Sequence, residues 1–121
     1  EGARYIGLAA EQNLVAAQID YATILYLGQG VDRDIEGSVF WYERAAEGGN
    51  PVAQNRLAKL IAVGEGTAID LETAAMWRAL ARRQGLSDPS LDRLLVSIPP
   101  DALARAEERA RFWPSSVPMS R

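Results

Sequence analysis

The stretch 28-GQGVDRDIEGSVFWYERAAEGGN-50 returns 36 residues later as 64-GEGTAIDLETAAMWRALARRQGL-86. Gly28, Gly30, Asp34, Trp41 and Ala45 fall on Gly64, Gly66, Asp70, Trp77 and Ala81. Outward from this pair the echo extends to Ala17, Tyr21, Ala22 and Leu25, which fall on Ala53, Leu57, Ala58 and Ile61. A fixed period of this length marks stacked units, none of which can bury its apolar face alone. Upstream, Tyr5, Ala9, Ala10 and Asn13 align with Trp41, Ala45, Ala46 and Gly49, so the chain opens in the second helix of a repeat and the natural protein is expected to begin earlier.

Within each unit the apolar spacing is helical. Ala17, Tyr21, Ala22 and Leu25 are separated by 4, 1 and 3 residues, which gathers them on one stripe, and the second copy repeats the pattern. The glycines at 28, 30, 64 and 66 end these helices where a positive φ is sterically cheap. A β-branched residue at Gly66 is therefore expected to destabilise its repeat. Asp34 and Asp70 stand just before the next periodic segment and read as N-caps, since a carboxylate there accepts the unpaired N–H groups of the first turn. Ser38, Trp41, Ala45 and Ala74, Trp77, Ala81 form the buried stripe of the second helices, which Gly48-Gly49 and Gly85 close.

After Gly85 the pattern changes. Asp88-Pro89 is a cap followed by a first-turn proline, and Leu91, Leu94, Leu95 and Ile98 supply a short apolar face. Pro99-Pro100 breaks the chain before an amphipathic helix, 100-PDALARAEERARFW-113, with Leu103, Ala106, Ala110 and Trp113 turned toward the array and Arg105, Glu108, Arg109 and Arg111 closing its open end. The expected organisation is repeats over 1–86 (a half repeat 1–13 and full repeats 14–49 and 50–85), capping helices over 87–113 and a loose tail over 114–121.

Composition narrows the chemistry. At 121 residues the chain suits one compact unit that buries roughly two-thirds of its unfolded surface. A net charge of −3 with no Lys/Arg run points away from nucleic acid and anionic membranes, and no apolar run reaches the length of a membrane span. Twelve of the thirteen basic residues are Arg, which fits either the codon usage of a GC-rich genome or selection for two-pronged contacts. With no Cys and no His, thiol chemistry, imidazole bases and common zinc sites are removed, so no cofactor or metal is expected. An enzyme would have to draw on Asp, Glu, Ser, Thr, Tyr and Lys59. The one adjacent carboxylate pair, Glu107-Glu108, points about 100° apart on a helix, and Gly28-x-Gly30 precedes a cap and not a phosphate-loop Lys. The sequence points away from catalysis.

The pattern Ala53-x-x-x-Leu57-Ala58-x-x-Ile61-x-x-Gly64-x-Gly66, followed by Asp70, Ala74, Trp77 and Ala81, resembles the Sel1-like repeat, a relative of the tetratricopeptide repeat. The resemblance covers residues 1 to 86. Ile61 replaces the usual Tyr, Ala22 and Ala58 replace a small Gly, and Arg82 stands where a second Ala is expected. What the resemblance implies is an all-α, right-handed α/α superhelix of helix-turn-helix repeats, with a C-terminal capping hairpin and a concave face lined by the first helices. It further implies a protein-interaction adaptor or scaffold in bacterial signalling or envelope assembly, in the periplasm or cell envelope. The alternative is a non-catalytic peptidoglycan- or glycan-associated envelope module. The expected partner is another protein or a peptide, with no nucleic acid and no membrane insertion.

Residues of the first helices that lie off the buried stripe are expected to point into the concavity: Ile19, Thr23, Tyr26 and Leu27 from one repeat, Asn55, Lys59, Ala62 and Val63 from the next. Tyr26 and Ile19 are expected to face solvent as apolar contact groups beside Thr23, Asn55 and Lys59. Arg78, Arg82 and Arg83 complement a helix dipole, or alternatively anchor a partner's carboxylate or phosphate.

Overall fold

The structure, a computed structural model, describes residues 2–12 and 14–114. Among the described residues it is all helical: α1 (Gly2–Glu11), α2 (Val15–Leu27), α3 (Ile35–Glu47), α4 (Pro51–Val63), α5 (Leu71–Arg83), α6 (Pro89–Leu94) and α7 (Pro100–Phe112). From α1 to α5 each helix packs on the next in sequence, and α7 packs on α5. The first helices α2 and α4 form one row, here the A face, and α1, α3, α5 and α7 form the other. This is an α/α superhelix with a C-terminal hairpin. The expected Tyr5 side chain, Asn13 and the tail from 115 onward lie outside the described residues.

The 36-residue echo extends to the hydrogen bonds that end and cap the helices. Gly28 (φ 72°) and Gly64 (φ 75°) end α2 and α4 in the left-handed region, their N–H groups donating to Ile24 O and Leu60 O. Asp34 N–H donates to Leu25 O at 2.8 Å and Asp70 N–H to Ile61 O at 3.3 Å. Gln18 Nε2 donates to Ala10 O and Gln54 Nε2 to Ala46 O, at 3.3 and 3.2 Å. Both amides are buried. The expected caps form, with Asp34 accepting from Gly37 N–H, Asp70 from Thr73 N–H and Asp88 from Leu91 N–H. One cap escaped the sequence reading: Asn50 accepts from Val52 and Ala53 N–H at the start of α4, with Pro51 in the first turn.

Asp70 is the most heavily engaged of the two repeat caps. Thr73 donates to it from both its hydroxyl (2.7 Å) and its N–H (3.1 Å), and these bonds hold the carboxyl below its ordinary range. Asp70→Ala is expected to lower stability by about 1 kcal/mol, read as a shift of the urea midpoint. An unchanged midpoint would remove the capping account.

The core is built from alanines set against larger groups. Ala22, Ala45, Ala46, Ala53, Ala58, Ala74 and Ala81 are fully buried, which lets neighbouring helices approach closely around Leu57, Leu80 and Trp77. Trp77 is buried and meets Trp113 of the closing segment edge-on at 6.3 Å. Trp41 is only partly buried, packing against the core beside Tyr21 and Phe40 at 5.8 and 5.0 Å. Its ring has no α7 to cover it.

Two leucines depart from expectation. Leu94 and Leu103 were expected to face the array and are exposed. α6 is six residues long, and around it Leu94 stands about 60° from the buried Leu91 and about 100° from the buried Leu95, on the outer side of both. On α7 the inward stripe runs Ala102, Ala106, Ala110, Trp113, which leaves Leu103 at its outer edge. Arg105 and Arg109 do not simply face water, since both reach back to Glu72 of α5 at 2.9 and 3.2 Å. Arg83 donates to Ala110 O, tying α5 to the last turn of α7.

Candidate partner-binding face

The A face carries the side chains singled out for recognition, and the structure sorts them into three kinds. Leu27 and Val63, equivalent positions one repeat apart, are exposed at the ends of α2 and α4. Lys59 is exposed on α4, its side chain 48% accessible and its Nζ 3.4 Å from Asp88. Ile19, Tyr26 and Ala62 are half-buried and pack against the core. Ile19 and Tyr26 are thus less open than their sequence positions indicated, because α2 lies between α1 and α3 and its flanks are covered from both sides.

Tyr26 is a clasp between the two glycine loops. Its hydroxyl donates to Glu65 at 3.0 Å, while Arg33 donates from Nε to Tyr26 O at 2.7 Å and lies 5.2 Å over the ring. The Glu65 bond, with burial and the Glu65 charge, pushes the phenol's pKa upward against Arg33.

Asn55 is inside, at 7% exposure, where its amide joins two helices: Nδ2 donates to Asp88 at 2.7 Å and Oδ1 accepts from Arg78 at 3.2 Å. Arg78, which reads from sequence as a helix-end cation, is 2% exposed. Its guanidinium grips Asp92 with Nε and NH2 at 2.7 and 3.3 Å, and NH1 also reaches Leu86 O at 3.0 Å. Arg82 adds a bond to the same carboxylate. Hydrogen bonds from Arg78, then Arg82 and both charges, hold Asp92 below its ordinary range against burial. Burial also opposes ionisation of Asp88, but Ser90, Leu91, Asn55 and the Lys59 charge outweigh it and hold that carboxyl well below the carboxylate range. Arg78 and Arg82 are therefore committed within the chain.

The residue that sequence reasoning passed over is Arg56. It projects from α4, exposed, and NH1 donates to Thr23 Oγ1 of α2 at 3.0 Å and to Tyr42 Oη of α3 at 3.3 Å. Three helices meet there. One signal was available: Arg56 stands 36 residues after Asp20, so the array reverses charge at this position.

A cleft of about 520 Å³ between α1 and α2 is lined by Ile6, Ala9, Leu14, Val15, Ala17 and Asp20. Its counterpart 36 residues on includes Tyr42 and Arg56, which α2 covers through Thr23.

No helix among the described residues is long and apolar enough to cross a membrane. The geometry defines a helical-repeat solenoid. The profile of the Sel1 repeat matches residues 15–50 and 51–86, and the chain belongs to the Sel1 repeat family. It is similar to a Sel1 repeat protein from Oxalobacter formigenes at 28% identity and a TM-score of 0.67, over 69% of this chain and 34% of that one. It is also similar to c5321, a protective antigen of uropathogenic Escherichia coli displaying an SLR fold, at 22% identity and a TM-score of 0.61, over 98% of this chain and 30% of that one. The chain spans about a third of the length of these solved relatives. No curated protein matches. Sel1 repeat proteins are generally non-catalytic scaffolds that mediate protein interactions.

Proposed function

We propose that this chain is a non-catalytic adaptor that binds a partner polypeptide across the A face, within a bacterial signalling or envelope assembly. The observation that supports the reading is the state of the side chains on α2 and α4. Lys59 and Arg56 are exposed yet held by intrachain contacts, and the apolar Leu27 and Val63 lie open beside them. Ordered polar groups flanked by exposed aliphatics suit a bound chain, because less side-chain freedom is lost on contact. The row of second helices is used differently. α7 lies on α5 and covers its flank.

Site-specific photo-crosslinking tests this. A photoreactive residue at Val63 or Leu27 is expected to capture a discrete polypeptide that the same group at Glu107, exposed on α7, does not. Equal labelling from all three positions, or binding to purified cell-wall fragments in place of protein, counts against the adaptor role.

A further inference from the structure

Thr23 donates its single hydroxyl proton to Ile19 O at 3.0 Å, so in the 2.6 Å contact between Thr23 Oγ1 and Tyr42 Oη the phenol is the donor. Both lone pairs of Thr23 are then occupied, one by Tyr42 and one by Arg56 NH1, which also reaches Tyr42 Oη. The guanidinium carbon lies 5.9 Å from the Tyr42 ring centroid. One nitrogen of Arg56 is thus fixed by two neutral hydroxyls. Nε and NH2 have no hydrogen-bond partner among the described residues, and no described carboxylate lies within ion-pair distance.

The next junction shows what a completed arrangement contains. Thirty-six residues after Tyr42 stands Arg78, again on a second helix and again facing the following first helix. There the cation is met by the two-pronged carboxylate of Asp92. Lys59, the counterpart of Thr23, is met by Asp88. At the first junction the cation sits on the outside and its counter-ion is missing.

We propose that Arg56 is the anchor of an anion subsite on the A face, taking a carboxylate of the bound polypeptide, from an acidic side chain or a free C-terminus, through Nε and NH2. This rests on the adaptor reading above and names its chemistry. A planar guanidinium matches a carboxylate with two parallel N–H bonds, and one already oriented loses less freedom on binding. Thr23 and Tyr42 are positioning residues. They hold the fork without neutralising it.

The test is selection of a displayed library of random peptides on the full chain, followed by affinity measurement on individual winners. Enrichment of Asp and Glu, or a requirement for a free C-terminus, is expected. Arg56→Gln is expected to weaken binding at least tenfold, and Arg56→Lys, which keeps the charge but loses the fork, by a similar factor. Tyr42→Phe is expected to weaken it several-fold with the carboxylate preference reduced, and Arg93→Gln, an exposed cation elsewhere, to leave it unchanged. Winners without carboxylates, or full affinity in Arg56→Gln, overturn the subsite while leaving the adaptor role standing. Stronger competition by inorganic phosphate than by acetate reassigns the fork and also overturns the proposal. If no peptide is retained above background, both readings fall.

Discussion

Asp92→Ala is expected to lower the unfolding free energy by about 2 to 4 kcal/mol, because it strands the buried charge of Arg78. Arg78 is 2% exposed, and Asp92 supplies its only ion pair among the described residues. The expected loss lies below the upper end for a broken buried pair, since Asp92 is itself 40% exposed and Asn55 and Leu86 O still hold NH1. Adding Arg78→Met to Asp92→Ala is expected to recover much of the loss, by removing the unpaired cation while keeping its volume. Urea denaturation of wild type, single and double variants decides it. A single variant as stable as wild type, or a double variant worse than the single, contradicts the account. Acid should act in the same direction. The folded state holds Asp92 and Asp88 below their ordinary 3.8. Their stabilisation is therefore complete above that value and is lost progressively as pH falls beneath it.

That pair also marks where sequence reading stops. The period, the caps at Asp34, Asp70 and Asp88 and the end glycines were legible because each depends on a few neighbouring residues, and within the two repeats the 36-residue copy supports the reading of Asp34 with Asp70 and of the paired glycines. Arg78 was not legible. Three of its partners, Asn55, Leu86 and Asp92, sit on other segments, and nothing local distinguishes a cation near a helix end from one folded under the next helix. The same limit hid Arg56, whose anchors lie on α2 and α3, and it misplaced Asn55, which lies off the apolar stripe of α4 but under α6. Leu94 and Leu103 failed for a different reason. Both stand at the edge of an apolar stripe, where a small error in helical phase decides between core and water, and hydrophobicity alone cannot supply the phase.

The comparison of Gly66 with Gly30 turns the repeat into its own control. Both have positive φ, 73° and 76°, so alanine at either position incurs the left-handed cost of about 1 kcal/mol. Their surroundings differ. A Cβ at Gly66 meets Ile35 Cγ2 at 2.8 Å, Ile35 O at 2.9 Å and Val39 Cγ2 at 3.0 Å, whereas one at Gly30 meets nothing within 4 Å. The carbonyl contact matters most, because the start of α3 cannot rotate away as a side-chain tip can. Gly66→Ala is therefore expected to lose about 2 to 4 kcal/mol and Gly30→Ala only about 1, the difference being overpacking between successive repeats. Valine at Gly66 should be worse still, since a β-branched residue tolerates positive φ poorly. Paired urea midpoints at constant slope measure this directly. Equal shifts at the two positions would mean that the second loop does not press on α3, and the close stacking that holds α2 and α4 in register, and with them Thr23 against Arg56, would lose its support.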